Sequence, residues 1–275
     1  VNEVFAGKVP PSGGEKIPVL YVAIDGTGVP LVPWELEGVP GKDPQTGRAK
    51  MREAKLGCVF TQTALDDDGY PVRDDKSTTY TGAIENAEQF GRRIYAEALR
   101  RGLARATRVV VLGDGAPWIS NVAAEHFPDA TRILDLFHAR EHVSEIAKTV
   151  YGAGSELASQ WIKERFDGLD EGKIADLLRA LLDLHPRGRE QKDVVRRNLD
   201  YFKVNAEAMR YDLFRADGLF VGSGVVEAGC RNVIGLRLKR SGMKWTIEGA
   251  NSIIALRCYL LGLRWEELWN RHRTA

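Results

Sequence analysis

The stretch Ile17 to Gly28, IPVLYVAIDGTG, restricts the fold more than any other part of the chain. Its first eight residues are an apolar run rich in Val and Ile, the pattern of a strand covered on both faces. The run ends in Asp25, with Gly26, Thr27 and Gly28 behind it. A carboxylate at the C-terminal end of a buried strand is costly unless a metal ion or a phosphate contact neutralises it. The remaining sequence is therefore read by asking which residues gather around Asp25.

An N-terminal arm is expected over 1–16, with Pro10 and Pro11 in it. Val29 to Leu36 reads as a second strand, turned back by Gly26 and Gly28, and Lys55 to Ala64 as a third. Asp66 to Gly69 reads as a hairpin turn; the missing downstream Glu argues against a calcium loop. Apolar spacing from Gly82 to Arg101 predicts a helix. Thr107 to Leu112 is a further buried strand, followed by Gly113, Asp114 and Gly115. Pro117 opens a short helix, and Thr131 to Leu136 is a fifth strand. The order β-β-β-α-β-α-β predicts an α/β fold of RNase H-like topology, a mixed five-stranded sheet flanked by helices. From Ala139 the pattern is helical: Ala139 to Val150, Glu156 to Phe166, Lys173 to Leu184 and Glu190 to Phe202. The expected organisation is a core over 17–142, an all-helical insertion over 143–221, and C-terminal core helices over 222–275. Those last helices begin after Gly222, Ser223 and Gly224, with Ser223 a candidate cap.

The 275 residues are 44% hydrophobic and 28% charged, which fits an ordinary globular chain. No apolar stretch is long enough for a membrane span, and no leader peptide is visible. The chain begins at Val1 rather than Met, which suggests a fragment of a longer protein. Cys58, Cys230 and Cys258 form no C-x-x-C pair, which suggests buried thiols in a reducing cytoplasm. The net charge of +1 says nothing about nucleic acid, but the distribution does. Six arginines from Arg92 to Arg108 face a single acid, Glu97. Arg231, Arg237, Lys239, Arg240 and Lys244 lie in a run that holds no acid. Such patches suit a polyanion bound at one face; solvated helix faces are the alternative.

In this topology the strands ending at Asp25 and Asp114 are parallel neighbours, so the two carboxylates should meet at one sheet edge. Like charges at short range repel, and a divalent cation removes the conflict. Oxygen donors select Mg²⁺ or Mn²⁺. A cap before Gly explains either Asp singly, but explains less well a pair at matched strand ends. Glu227, in an apolar helical run, supplies a third acid; a surface Glu favoured by the helix dipole is the alternative. Together the three fit a two-metal site for phosphoryl transfer. The basic run after Glu227 would hold phosphates, and Trp245 beside Met243 would stack on a base or pack in the core. His138 to His142 matches H-x-x-E-H, the inverted zinc-protease pattern, but follows a buried strand directly. Asp135 and His138, as D-x-x-H near the acidic edge, are the better parse, with a structural histidine as the alternative.

The blocks AIDGTGVP, KLGCVFTQT, STTYTGAIE, VLGDGAPWI, DLFHAREH, GSGVVEAGC and RLKRSGMKWT resemble DDE transposases of bacterial insertion sequences, specifically the ISKra family. The resemblance runs from about Pro18 to about Leu261 and is weakest through Gly152 to Tyr211. It implies an RNase H-like catalytic domain with a helical insertion before the last acid. It also implies cleavage and strand transfer of DNA with two Mg²⁺ or Mn²⁺ ions, and homo-oligomers assembled on transposon ends and target DNA in the bacterial cytoplasm. By motif, Asp25, Asp114 and Glu227 are the catalytic, metal-holding acids, and Asp135 and His138 match a supporting C/D-x-x-H signature. Arg231, Arg237, Lys239, Arg240, Lys244 and Trp245 are the DNA-binding candidates.

Two other readings stand beside this one. Asp25-Gly26-Thr27-Gly28 is close to the D-x-G-x-T phosphate loop of actin-like sugar kinases and ATPases, with Gly one place early. A non-catalytic DNA-binding protein derived from a transposase is the third, against which the intact acid triad argues.

Overall fold

The apolar run that opens at Ile17 becomes the central strand of a five-stranded sheet. In a computed structural model, which describes residues 14–273 apart from 42–46 and 48, β1 spans Ile17–Pro30, β2 Met51–Gln62, β5 Thr79–Ala83, β6 Ala106–Gly113 and β7 Thr131–Leu134. Between β2 and β5, β3 (Ala64–Leu65) and β4 (Pro71–Val72) form a small separate hairpin. The large sheet has the order β5-β2-β1-β6-β7. β2 is antiparallel to β1 and to β5, whereas β6 runs parallel to β1 and to β7. This is the RNase H-like arrangement.

Burial on both faces explains the unbroken apolar run. Leu20, Val22 and Ile24 pack against Phe90 and Ile94 of α1 (Ala87–Arg100) and Val122 of α2 (Pro117–His126). Tyr21 and Ala23 point the other way, into a core shared with α3 (Leu136–Tyr151), α4 (Glu156–Asp170), α5 (Ile174–Leu182), α6 (Gly188–Asn205) and α7 (Tyr211–Ala216). Between β7 and Gly224 the described residues form helices and turns without a strand. α3 runs across the boundary expected between 142 and 143. The arm expected over 1–16 lies outside the described residues except for 14–16.

The chain then winds through α8 (Gly224–Gly229), a π-helical segment (Cys230–Gly235) and α9 (Leu236–Leu238). α10 (Ile247–Leu261) and α11 (Trp265–Arg273) complete it. Val233, Ile234, Leu238, Ala250 and Ile254 form a third core with Val29, Leu31 and Leu56. The π-helical segment has a local cause: Arg257 of α10 donates Nε to the Val233 carbonyl at 2.8 Å and Nη2 to that of Asn232. Those bonds serve carbonyls in the widened turns. Among the described residues no helix is long and apolar enough to cross a membrane. All three cysteines are unpaired and buried.

Two strand expectations are corrected. Val29 to Leu36 is not a second strand: β1 continues through the glycines to Pro30, and Pro33–Leu36 is a 3₁₀ turn. Gly26 and Gly28 do not turn the chain. They lie in the β1–β2 ladder, where an added Cβ would meet Glu53 Oε1 at 2.5 Å and Met51 Sδ at 2.9 Å respectively. The third strand is instead β5, whose start lies before the residues predicted as helix. The fifth strand also stops at Leu134, because the Asp135 side chain caps α3.

Candidate active site

Strand register creates the site. β6 pairs with β1 as far as Ala23↔Leu112, whereas β2 continues to Pro30↔Met51. Asp25 therefore stands just beyond the point where β1 loses one neighbour. On the other side of that break β6 ends at Gly113, and Asp114 follows. A cavity of about 300 Å³ opens there, lined by Asp25, Asp114 and Glu227 with Asp135, His138, Glu141 and Ser223.

One oxygen of each acid is held by its own element. Asp25 Oδ1 accepts from the Gly26 amide at 2.6 Å, and Asp114 Oδ1 from the Ala116 amide at 2.9 Å. Glu227 Oε1 accepts from Ser223 Oγ at 2.7 Å. The Ser223 hydroxyl thus serves Glu227 and does not cap the helix amides. Burial pushes the Asp25 carboxyl above its usual range, and the charges of Asp114 and Glu227 push the same way. Hydrogen bonds from the Cys230 thiol and the Gly26 amide oppose them.

Asp135 is buried, at 1% exposure. Its carboxylate accepts from the His138 amide at 2.6 Å and from the Ser223 amide. It ties the start of α3 to the start of α8, which carries Glu227. His138 faces Glu141 across 3.3 Å and lines the cavity. The H-x-x-E-H stretch lies within α3, contrary to expectation. Its second histidine, however, stacks on Tyr201 at 3.9 Å and bonds through Nδ1 to Asn198. Tyr201 was not singled out from sequence. It donates its hydroxyl to the Asp114 carbonyl at 2.9 Å, and an apolar-spaced Tyr on a helix carries no signal of that.

Among the described residues no three His, Cys, Asp or Glu groups stand close enough to hold a metal ion as the side chains lie. The donor chemistry nevertheless fits a hard divalent cation: three carboxylates line one cavity, and one of them is disfavoured as an anion by burial and like charge.

The basic candidates divide. Arg231, Lys239, Arg240 and Lys244 are exposed. Lys239 Nζ donates to Thr27 Oγ1 on β1, and Arg240 Nε to the Leu236 carbonyl at 2.8 Å. Arg237 is half-buried, 5.1 Å over the Trp245 ring. Trp245 itself packs against the third core and donates Nε1 to the Leu238 carbonyl at 3.1 Å. Core packing, not a free stacking surface, is its observed place. The phosphate-loop alternative loses its basis too, because Asp25 to Gly28 is regular paired strand.

The chain is similar in structure to one solved transposase. That structure is the Drosophila P element transposase strand transfer complex, with 11% identity, a TM-score of 0.41, and coverage of 92% of this chain and 79% of that one. A likeness that distant carries no argument about chemistry, so the functional reading rests on the residues above. No family model and no curated protein matches the chain.

Proposed function

We propose that this chain is the catalytic part of a DDE transposase of a bacterial insertion sequence, of the ISKra family, that cuts and rejoins DNA with divalent cations. The observation that supports this most is the meeting of Asp25, Asp114 and Glu227 on one cavity at the break in parallel pairing. Asp25 and Asp114 would hold Mg²⁺ or Mn²⁺, with Glu227 completing the set. Such ions, when bound, activate a water or 3′-hydroxyl and stabilise the leaving oxygen.

The chain's own residues hold and orient. The Gly26 and Ala116 amides and Ser223 Oγ fix one oxygen of each acid. Asp135, by tying Ser223 to α3, sets where α8 begins. Arg231, Lys239, Arg240 and Lys244 would line the phosphate backbone beside the acids, where cation release makes binding salt-dependent. The partners would be transposon ends and target DNA, bound by a homo-oligomer.

Nicking of a duplex that carries the element's end tests this. Wild-type chain should nick it only with Mg²⁺ or Mn²⁺, and Asp114→Asn should abolish nicking. Mn²⁺ should also raise the melting temperature of the wild type but not of Asp25→Asn, because a ligand of the folded state stabilises by mass action. Undiminished nicking by Asp114→Asn overturns the reading.

A further inference from the structure

Past the far end of β1 lies a second hollow, of about 700 Å³. Buried Leu31 and Leu36 contribute to its lining, along with Trp34, Met51 and Met243. Trp34 is 67% exposed and Met51 52% exposed, although both are large and apolar. Lys50 and Lys244 also line the hollow, with Glu37 the one acid among the lining residues.

The walls are built in advance. The Val32 amide donates to the Trp245 carbonyl at 2.9 Å, and the Trp245 amide to the Pro30 carbonyl at 3.1 Å. The Ile247 amide donates to Glu35 Oε1 at 3.2 Å. The segment that carries Met243 and Lys244 is thereby fixed to the end of β1 and to the turn that carries Trp34. A volume within the range of roughly 300–1,000 Å³ suits a small planar group.

Two observations choose the occupant. The first is charge: two lysines against one glutamate suit a flat apolar group that carries phosphate, not an apolar peptide alone. The second is continuity with the acids. Asp25 and Pro30 lie five residues apart on β1, about 17 Å of strand, or about five base-pair steps of DNA. Midway, Thr27 holds Lys239. A DNA strand leaving the acids passes this cation before it reaches the hollow.

We propose that the hollow binds an unstacked nucleobase of the DNA strand, stacked on Trp34 between Met51 and Met243, about five nucleotides from the acids. The proposal rests on the DNA-binding part of the reading above, but not on cleavage. Trp34 takes the place that Trp245 was expected to fill. Its ring is exposed, whereas the Trp245 ring is packed and covered by Arg237.

The test titrates the full chain with a short oligothymidylate in metal-free buffer, using wild type, Trp34→Ala and Trp34→Phe. Loss of one base–aromatic stack should weaken binding about tenfold in Trp34→Ala, while Trp34→Phe keeps most of the affinity. Wild-type tryptophan fluorescence should fall on binding, and Trp34→Phe should lack most of that change. A side chain this exposed can be removed without disturbing the core, so melting temperatures should agree. Equal affinity in Trp34→Ala, or no binding by the wild type, overturns the proposal and returns the hollow to an apolar protein partner. Trp34-dependent binding by a chain that never nicks DNA would sink the cleavage reading and leave this one standing. Nicking with Trp34-independent binding would do the reverse.

Discussion

Tyr201 reaches from α6 to the backbone of Asp114 with a single hydroxyl. Burial, and then the nearby charges of Asp114, Asp135 and Glu141, push its pKa well above the ordinary phenol range. The hydroxyl therefore stays a donor at any working pH. Tyr201→Phe keeps the ring stacked on His142 and removes only that bond. Its expected cost in stability is about 0.5–1.5 kcal/mol, the net value of one hydrogen bond. The proposed chemistry should respond more strongly. The Mg²⁺ concentration for half-maximal nicking should rise by roughly tenfold, as when an outer partner of a metal ligand is lost. A magnesium titration of both chains checks this; superimposable curves would remove Tyr201 from the site's support. Asp25, Asp114 and Glu227 were legible in sequence because a carboxylate beside an apolar run is conspicuous. Tyr201 and Glu141 were not, since a tyrosine at core spacing and an acid on a charged helix look ordinary. Ser223 was noticed for the wrong duty, because a serine before a helix reads first as a cap.

The strands show where sequence patterning fails at the level of elements. Glycines within Asp25-Gly-Thr-Gly read as a turn, but the side chains of Glu53 and Met51 on β2 occupy the space above them, and the strand runs on. β5 escaped notice because Thr79–Ala83 is short, and it pairs along one edge only, with β2. The two central parallel strands were legible, since both are continuous apolar runs that end at Gly or Asp. Gly82 fixes the fit of β5 against β2: a Cβ there would meet the Lys55 carbonyl oxygen at 2.7 Å and Leu56 Cδ1 at 2.8 Å. The first neighbour is backbone and has little freedom to yield. Gly82→Ala should destabilise by about 1–3 kcal/mol through overpacking, lowering the melting temperature by roughly 3–10 °C. Calorimetry reads this directly, and an unchanged melt would show that the strand pair can open without penalty.

Over the whole molecule, the helices from α3 to α7 share one core with the sheet, and pH should act through that junction. Burial lowers the pKa of His142, with help from the His138 and Arg197 charges, while the Asn198 bond and Glu145 oppose the shift. A group depressed in the folded state contributes stability that is complete above its unfolded pKa, near 6.5. That contribution is lost as pH falls through the folded value. The melting temperature should therefore decline below about pH 6.5, and His142→Gln should flatten the decline. His126, also lowered by burial, supplies a share that the variant retains. Profiles of equal slope in the two chains would contradict this. The π-helical segment has its own reach across the molecule, because it lies between Glu227 and the cations that follow. Each residue turns a helix by about 100°. Excising one position from Cys230–Gly235 would rewind the turn to ordinary pitch and swing Arg237 and Lys239 about a quarter of a revolution around the axis, while the acid upstream stayed where it is. The angular phase between anchor and reagent is thus set by a handful of loosely coiled residues, and evolution can reset it by adding or dropping a single codon.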